Sequence, residues 1–148
     1  MALHRLIYVS QAATGLGYPD LVNILEKSER NNLAVGITGM LCFGDSMFLQ
    51  VLEGNRRVVS QTYNRIIGDK RHTNAELIDF SEIEQRAFGS WSMKVVELGT
   101  LPEVRNIILK YSSTDKFSPI SINPQQSLRF LVDITELFNR GTILGVKP

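Results

Sequence analysis

The segment SMFLQVLEG, residues 46–54, places an amide where a strand would bury only hydrocarbon. Phe48, Leu49, Val51 and Leu52 are strand-type residues. Side chains two apart on a strand share a face, so Gln50 points with Phe48 and Leu52. A carboxamide buried without partners costs roughly 1–3 kcal/mol, so Gln50 needs something to bond. Two other polar side chains fall in segments that read as core. Tyr8 sits in HRLIYVS, and Asn32 lies seven residues past Leu25 on the helical stripe Leu21, Ile24, Leu25, Ser28. Asn and Gln both donate and accept hydrogen bonds. Together the three residues suit a flat, largely apolar ligand with amide-like edges. Ile24 and Ile66 would wall such a slot, and Lys27, Arg65 and Arg71 at its rims would suit a phosphate. The residue types alone do not name the ligand.

The elements that must position these groups can be read from periodicity and punctuation. His4 to Ser10 reads as strand one, followed by the Gly-rich connection QAATGLGYP. Asp20 then caps a helix. Val35 to Phe43 and Met47 to Glu53 read as a hairpin around Gly44-Asp45-Ser46. A second helix follows Gly54, with Val58, Val59, Thr62, Tyr63, Ile66 and Ile67 at helical spacing, and Gly68 ends it. After the charged loop DKRH, Glu76 to Glu84 reads as strand four. Ser90 to Leu98 reads as strand five, with Trp91, Met93 and Val95 on one face. The order is βαββαββ. A right-handed crossover followed by a hairpin puts strand three between strands one and two, with both helices on one face. The expected fold is therefore α+β, a ferredoxin-like sheet, in which Tyr8 and Gln50 come from adjacent strands about 4.8 Å apart.

Residues 99–148 read as a helical pair appended to a domain of residues 1–98. Pro102 suits a first helical turn, with Val104, Ile107, Ile108 and Tyr111 on one stripe. Asn123-Pro124 opens the last helix and Gly141 closes it. Leu128, Phe130, Leu131, Val132, Ile134, Leu137 and Phe138 exceed what one stripe holds. That surplus, with the tail TILGVKP, fits docking or self-association, unless it packs on the open face of the sheet.

Composition narrows the classes. A chain of 148 residues with 43% apolar and 21% charged residues can build a core and is not disordered. A net charge of +1 gives no footprint for nucleic acid. Cys42 stands alone, and His4 and His72 have no ligand-spaced neighbours, so neither a disulfide frame nor a metal site is expected. No apolar run reaches membrane-spanning length and the first residues lack a signal-peptide pattern, so a cytoplasmic protein away from membranes is expected. No acid pair, Ser-His-Asp set or phosphate-cradling loop occurs, which argues against an enzyme.

The strand LIYVS, the RNN that ends the first helix, the hairpin GITGMLCF–FLQVLEG, the DKRH loop and RAFGSWSM resemble, in order and spacing, the BLUF domain, a flavin-using sensor of blue light. The resemblance covers Leu3 to about Leu98. The last fifty residues are similar to the helical cap of short cyanobacterial BLUF proteins of the PixD type. It implies FAD, or FMN, as cofactor. Tyr8 would donate an electron and a proton to the excited flavin, and Gln50 would bridge Tyr8 and the flavin edge. Asn32, with Asn31 beside it, would hold the ring's carbonyl edge. Ile24, Phe48 and Ile66 would pack on the ring, Lys27, Arg65 and Arg71 would be polar or phosphate contacts, and Trp91 and Met93 would carry the signal. Where many members have histidine, this chain has Asn31. Output would pass to a response-regulator-like protein or through a homo-oligomer. The competing readings are a small ferredoxin-like hydrolase, which would need an arginine-bearing anion loop that QAATGLGYP lacks, and a light-independent metabolite-binding module.

Overall fold

A computed structural model of the chain describes residues 2–148. The elements are β1 (Leu3–Ala12), α1 (Tyr18–Val35), β2 (Thr38–Gly44), β3 (Met47–Asn55), α2 (Arg56–Ile66), β4 (His72–Ile83), β5 (Lys94–Glu97), α3 (Pro102–Tyr111) and α4 (Pro124–Asn139), with a 3-10 turn at Pro119–Ser121 between the last two. One five-stranded sheet runs β4-β1-β3-β2-β5, with β1 and β3 antiparallel neighbours at its centre and β5 parallel to β2. This is the expected arrangement.

Period-2 alternation divides the sheet into two faces. Leu6, Tyr8, Leu41, Phe48 and Leu52 point one way and pack with Leu21 and Leu25 of α1 and Val59 of α2. Ile7, Val9, Leu49 and Val51 point the other way and pack with Val104 and Ile108 of α3 and Phe130, Leu131 and Ile134 of α4. The apolar surplus of α4 is thus absorbed inside the chain. Two residues of the tail are buried as well, Ile143 and Val146 at 5% and 4% exposure, while Leu144 is 69% exposed. The helical pair covers the open face of the sheet, as the alternative to docking expected, with Phe130, Leu131, Ile134 and Leu137 fully inside and Leu128, Val132 and Phe138 partly buried.

Several boundaries differ from the sequence reading, each for a local reason. Asp20 does not cap α1 from outside. It stands at the third helical position and accepts from the Gly17 N–H at 2.9 Å, while Pro19 sits in the first turn. The helix runs past Asn31 and Asn32 to Val35, where Gly36 at φ 73° ends it. β4 starts at His72, four residues before the expected Glu76. Its register on β1 shifts between Ile7 and Tyr8 and again between Val9 and Gln11, with Asn74 at φ 53°. These bulges flank Tyr8, and such kinks re-aim the side chains beside them. β5 is only Lys94–Glu97, because the Ser92 carbonyl just before it is taken by the Asn32 side chain rather than by a ladder.

Candidate functional site

The antiparallel register of β1 on β3 makes Tyr8 and Gln50 direct cross-strand partners. Both are buried, at 2% and 3% exposure. The Tyr8 hydroxyl donates to Gln50 Oε1 at 2.5 Å, and Gln50 Nε2 points to Met93 Sδ at 3.6 Å. A thioether only accepts, so the amide nitrogen must face Met93 and the oxygen must face Tyr8. The buried glutamine therefore has a partner on each side, one strong and one weak. Asn32, 3% exposed, donates through Nδ2 to the Ser92 carbonyl at 2.9 Å. A carbonyl only accepts, so the amide orientation is set and Oδ1 is the atom left for a ligand's N–H.

Between α1, α2 and the sheet lies a cavity of about 250 Å³, near the lower end of the roughly 300–1,000 Å³ usual for small-molecule sites. The structure brings Tyr8, Ile24, Lys27, Asn31, Asn32, Phe48, Gln50, Arg65, Ile66 and Arg71 to its wall. It adds Ser28, Leu41, Thr62, Asp69 and His72, which the sequence reading did not name as site residues. Leu41 lies opposite Gln50 across β2 and β3, and the strand pairing could have pointed to it. Ser28 and Thr62 are the small positions of the two helical stripes. They leave room where a larger residue would close the slot.

Charge is arranged unevenly around this cavity. Arg71 does not present a free guanidinium. Its Nε lies 3.0 and 3.1 Å from the Asp69 carboxylate oxygens, its Nη2 bonds Asp69 Oδ2 at 2.5 Å and its Nη1 bonds Asn23 Oδ1 at 2.8 Å. The Arg71 hydrogen bonds outweigh partial burial and hold the Asp69 carboxyl at about 2. Arg65 makes only a long 3.5 Å contact to Thr62 Oγ1, and neither it nor Lys27 forms an ion pair among the described residues. Lys27, Arg65 and Arg71 thus all stand at the cavity wall, the first two without an ion pair among the described residues and Arg71 paired with Asp69. His72 is 7% exposed and ties β1 to the end of α2, with Nδ1 2.7 Å from Ser10 Oγ and Nε2 2.6 Å from the Ile66 carbonyl. That carbonyl requires the proton on Nε2. Burial, and then the neighbouring Tyr63 and Asp69, push the Tyr8 phenol far above its ordinary value. Tyr8 therefore keeps its proton at any working pH.

Trp91 and Met93 do not share a face, contrary to the sequence reading. Met93, 1% exposed, packs on the cavity side against Gln50. Trp91 packs on the other side, edge-on to Phe138 of α4 at 5.3 Å and 87°. Lys94 Nζ lies 4.8 Å from the Phe138 ring and 5.9 Å from that of Trp91. Strand alternation had been assumed for both, but the backbone is not yet in the strand at these residues.

Residues 3–94 match the family described as BLUF, sensors of blue-light using FAD. The chain belongs to the BLUF family. Over 128 residues it is 27% identical to the photoactivated adenylate cyclase subunit beta of Euglena longa, covering 81% of this chain and 15% of that one. It is 30% identical over 96 residues to the blue light- and temperature-regulated antirepressor BluF of Escherichia coli strain K12, covering 65% of this chain and 24% of that one. The BLUF protein thus spans less than a quarter of the length of either curated relative. Among solved structures, that of the BlsA photo-activated state superposes with a TM-score of 0.79 at 31% identity, covering 87% of this chain and 91% of that one. The chain is therefore a member of a family of flavin-using blue-light sensors. No helix of its described residues is long and apolar enough to cross a membrane.

Proposed function

We propose that this BLUF protein senses blue light through flavin held between α1 and α2, with Tyr8 and Gln50 as the photochemical pair. The residues fit the group. Ile24, Phe48 and Ile66 supply apolar walls, Asn32 Oδ1 an acceptor, Asn31 a second amide, and Lys27 and Arg65 unpaired cations at the cavity wall. The cavity is sized for a ring system rather than a whole dinucleotide. FAD is the proposed cofactor, and FMN, which shares the ring and the first phosphate, would meet the same contacts. Arg71 serves the site as a strut for Asp69.

Bound flavin supplies the absorption of blue light and, once excited, an acceptor for one electron and its proton. Tyr8 gives up the electron, and its phenolic proton leaves along the hydrogen bond to Gln50. Return of both to Tyr8 leaves the Gln50 carboxamide turned or tautomerised. The group that faced Met93 as a donor then faces it as an acceptor, and a thioether cannot donate. The hydrogen bond between Gln50 and Met93 is lost, and β5 is biased toward a second position. A difference of a few kcal/mol suffices to shift such a two-state element. Residues 1–98 act as the sensing unit and residues 99–148 as its cap, with Met93 and Trp91 linking them through opposite faces.

The observation that carries this reading is Gln50 held between a phenol and a thioether, at a wall lined for a flat ring. Absorption spectra in darkness and after blue illumination test it. The parent should be yellow and shift to the red when lit. Tyr8→Phe and Gln50→Ala should each retain flavin and lose the shift. A full shift in either variant overturns the assignment. Output passes to a protein partner in the cytoplasm rather than through catalysis by this domain, as the name of the antirepressor relative supports. A response-regulator-like partner and a homo-oligomer are the proposed forms.

A further inference from the structure

β5 lies at the edge of the sheet and pairs with β2 alone, from Lys94 to Glu97. Met93, which meets Gln50, is the residue just before it. A strand that short, with one neighbour, takes its place from whatever else grips it. The end of the chain grips it twice. The Val146 N–H bonds the Val95 carbonyl at 2.8 Å, and the Val146 side chain is buried in the cavity-side core that also holds Met93 and Val95. One residue earlier the tail presses on Lys94. A Cβ at Gly145 would lie 2.6 Å from Lys94 Cδ and 3.5 Å from Phe138 Cε2, so a bare glycine is what lets the tail, Lys94 and α4 meet. Lys94 Nζ ends over the Phe138 ring at 4.8 Å.

The tail is itself anchored away from β5. At its near end Ile143 is buried in the core shared with α3 and α4. At its far end the Tyr18 hydroxyl, at the start of α1, accepts from the Lys147 N–H at 2.9 Å and donates to the Lys147 carbonyl at 3.2 Å. Tyr18 is half-exposed, and neither it nor Val146 lines the cavity. With both ends pinned on other elements, the tail cannot travel with β5, and a shift of the strand must break its hold. These contacts are made with β5 placed so that Met93 meets Gln50. Contacts made in only one of two positions stabilise that position and draw the element back to it.

We propose that residues 143–147 form a return clasp on β5, and that Val146 and Tyr18 are positioning residues that set how fast the lit protein goes back to its dark state. They act on Gln50 through Val95 and Met93. The clasp rests on the photoreceptor reading above and adds its restoring force: light displaces β5, and the pinned tail draws it back. Loosening the tail prolongs the lit state and leaves unchanged what is absorbed.

The test follows the absorption of the full flavin-loaded chain after a blue pulse, with amide exchange measured in darkness beside it. Tyr18→Phe keeps the ring and removes both hydrogen bonds to Lys147. It should hold as much flavin as the parent, shift to the red by the same amount, and return more than twofold more slowly. Val146→Ala should also return more than twofold more slowly, and Val146→Ile, which refills the space, should restore the parent rate. Leu144→Ala, at an exposed position of the same tail, should return with the parent. A tail that only adds stability would lower the melting temperature of these variants and leave the return rate alone. Return of Tyr18→Phe within twofold of the parent, or faster than it, overturns the clasp, as does a Leu144→Ala variant as slow as Tyr18→Phe. A parent Val146 amide as unprotected as that of Leu144, a measurement made without light, overturns it too. If Val146→Ala loses flavin, Tyr18→Phe decides. A parent that holds flavin and never shifts strikes the photoreceptor reading and takes the clasp with it. A parent that shifts, beside a Tyr18→Phe variant that returns with it, strikes the clasp alone.

Discussion

β3 buries one polar side chain on each face of the sheet, and the two are held differently. Gln50 faces the cavity with two partners, a phenol and a thioether. Glu53, toward the other face and 0% exposed, is gripped on all sides. Its carboxylate accepts from Arg5 Nε at 2.8 Å, from the Ala87 N–H at 3.1 Å and from the Phe88 N–H at 2.8 Å. Arg86 reinforces the same corner through Thr38 Oγ1 and the carbonyls of Glu53 and Gly36. Charge-assisted bonds in such number leave Glu53 one position. Gln50 uses about half of its hydrogen-bonding capacity, so a second arrangement costs it little. The segment before β5 is thus bolted at residues 86–88 and softly held at Met93. A device that must move one end of a segment needs the other end fixed.

The comparison can be broken at its rigid end first. Glu53→Ala leaves Arg5 and two backbone N–H groups without their acceptor, and should cost about 3–5 kcal/mol in a denaturant titration. A loss under about 1 kcal/mol would show that the corner is not bolted. The two faces should also differ in how they tolerate truncation. Leu131→Ala, in the dry core under α4 at 0% exposure, should cost about 2–5 kcal/mol. Ile24→Ala, on the cavity wall, should cost about 1 kcal/mol in flavin-free protein and show its main effect as weaker flavin retention. Equal losses would mean that the cavity collapses when empty. At the soft end, Tyr8→Phe with Gln50→Leu removes both members of the pair. Because no orphaned partner remains, its stability should lie within about 1 kcal/mol of the parent, in a protein that no longer shifts on illumination. The smallest effect is at the rim. Arg71 holds the Asp69 carboxyl at about 2, below its ordinary 3.8. A lowered folded value contributes stability that is present above the ordinary value and is lost as pH falls toward 2. Asp69→Asn should therefore flatten the acid limb of a thermal-melt series between about pH 4 and pH 2. An unchanged limb would mean that the ion pair is absent in solution.

The sheet order and the meeting of Tyr8, Asn32 and Gln50 were legible because they follow from period-2 alternation, one hairpin and one crossover. Those rules act within a few residues or through chain topology. What was not legible depends on contacts made late and at a distance. β4 begins at His72 because its ring finds Ser10 and Ile66 across the slot. Arg71 looked like a free cation, since nothing in DKRH says that the guanidinium folds back on its own loop. Trp91 and Met93 looked like strand neighbours, but the strand begins only at Lys94, and the Ser92 carbonyl between them accepts from Asn32 on another element. The fate of the α4 surplus turned on whether the open sheet face was large enough to take it.

Trp91 is the chain's single tryptophan, and it rests edge-on against Phe138 on the face remote from the cavity. The protein therefore carries its own optical gauge of the α4 contact. The colour of the indole's ultraviolet emission tracks the polarity around that ring alone, so one cuvette can follow the pigment and the far face at two wavelengths without a label.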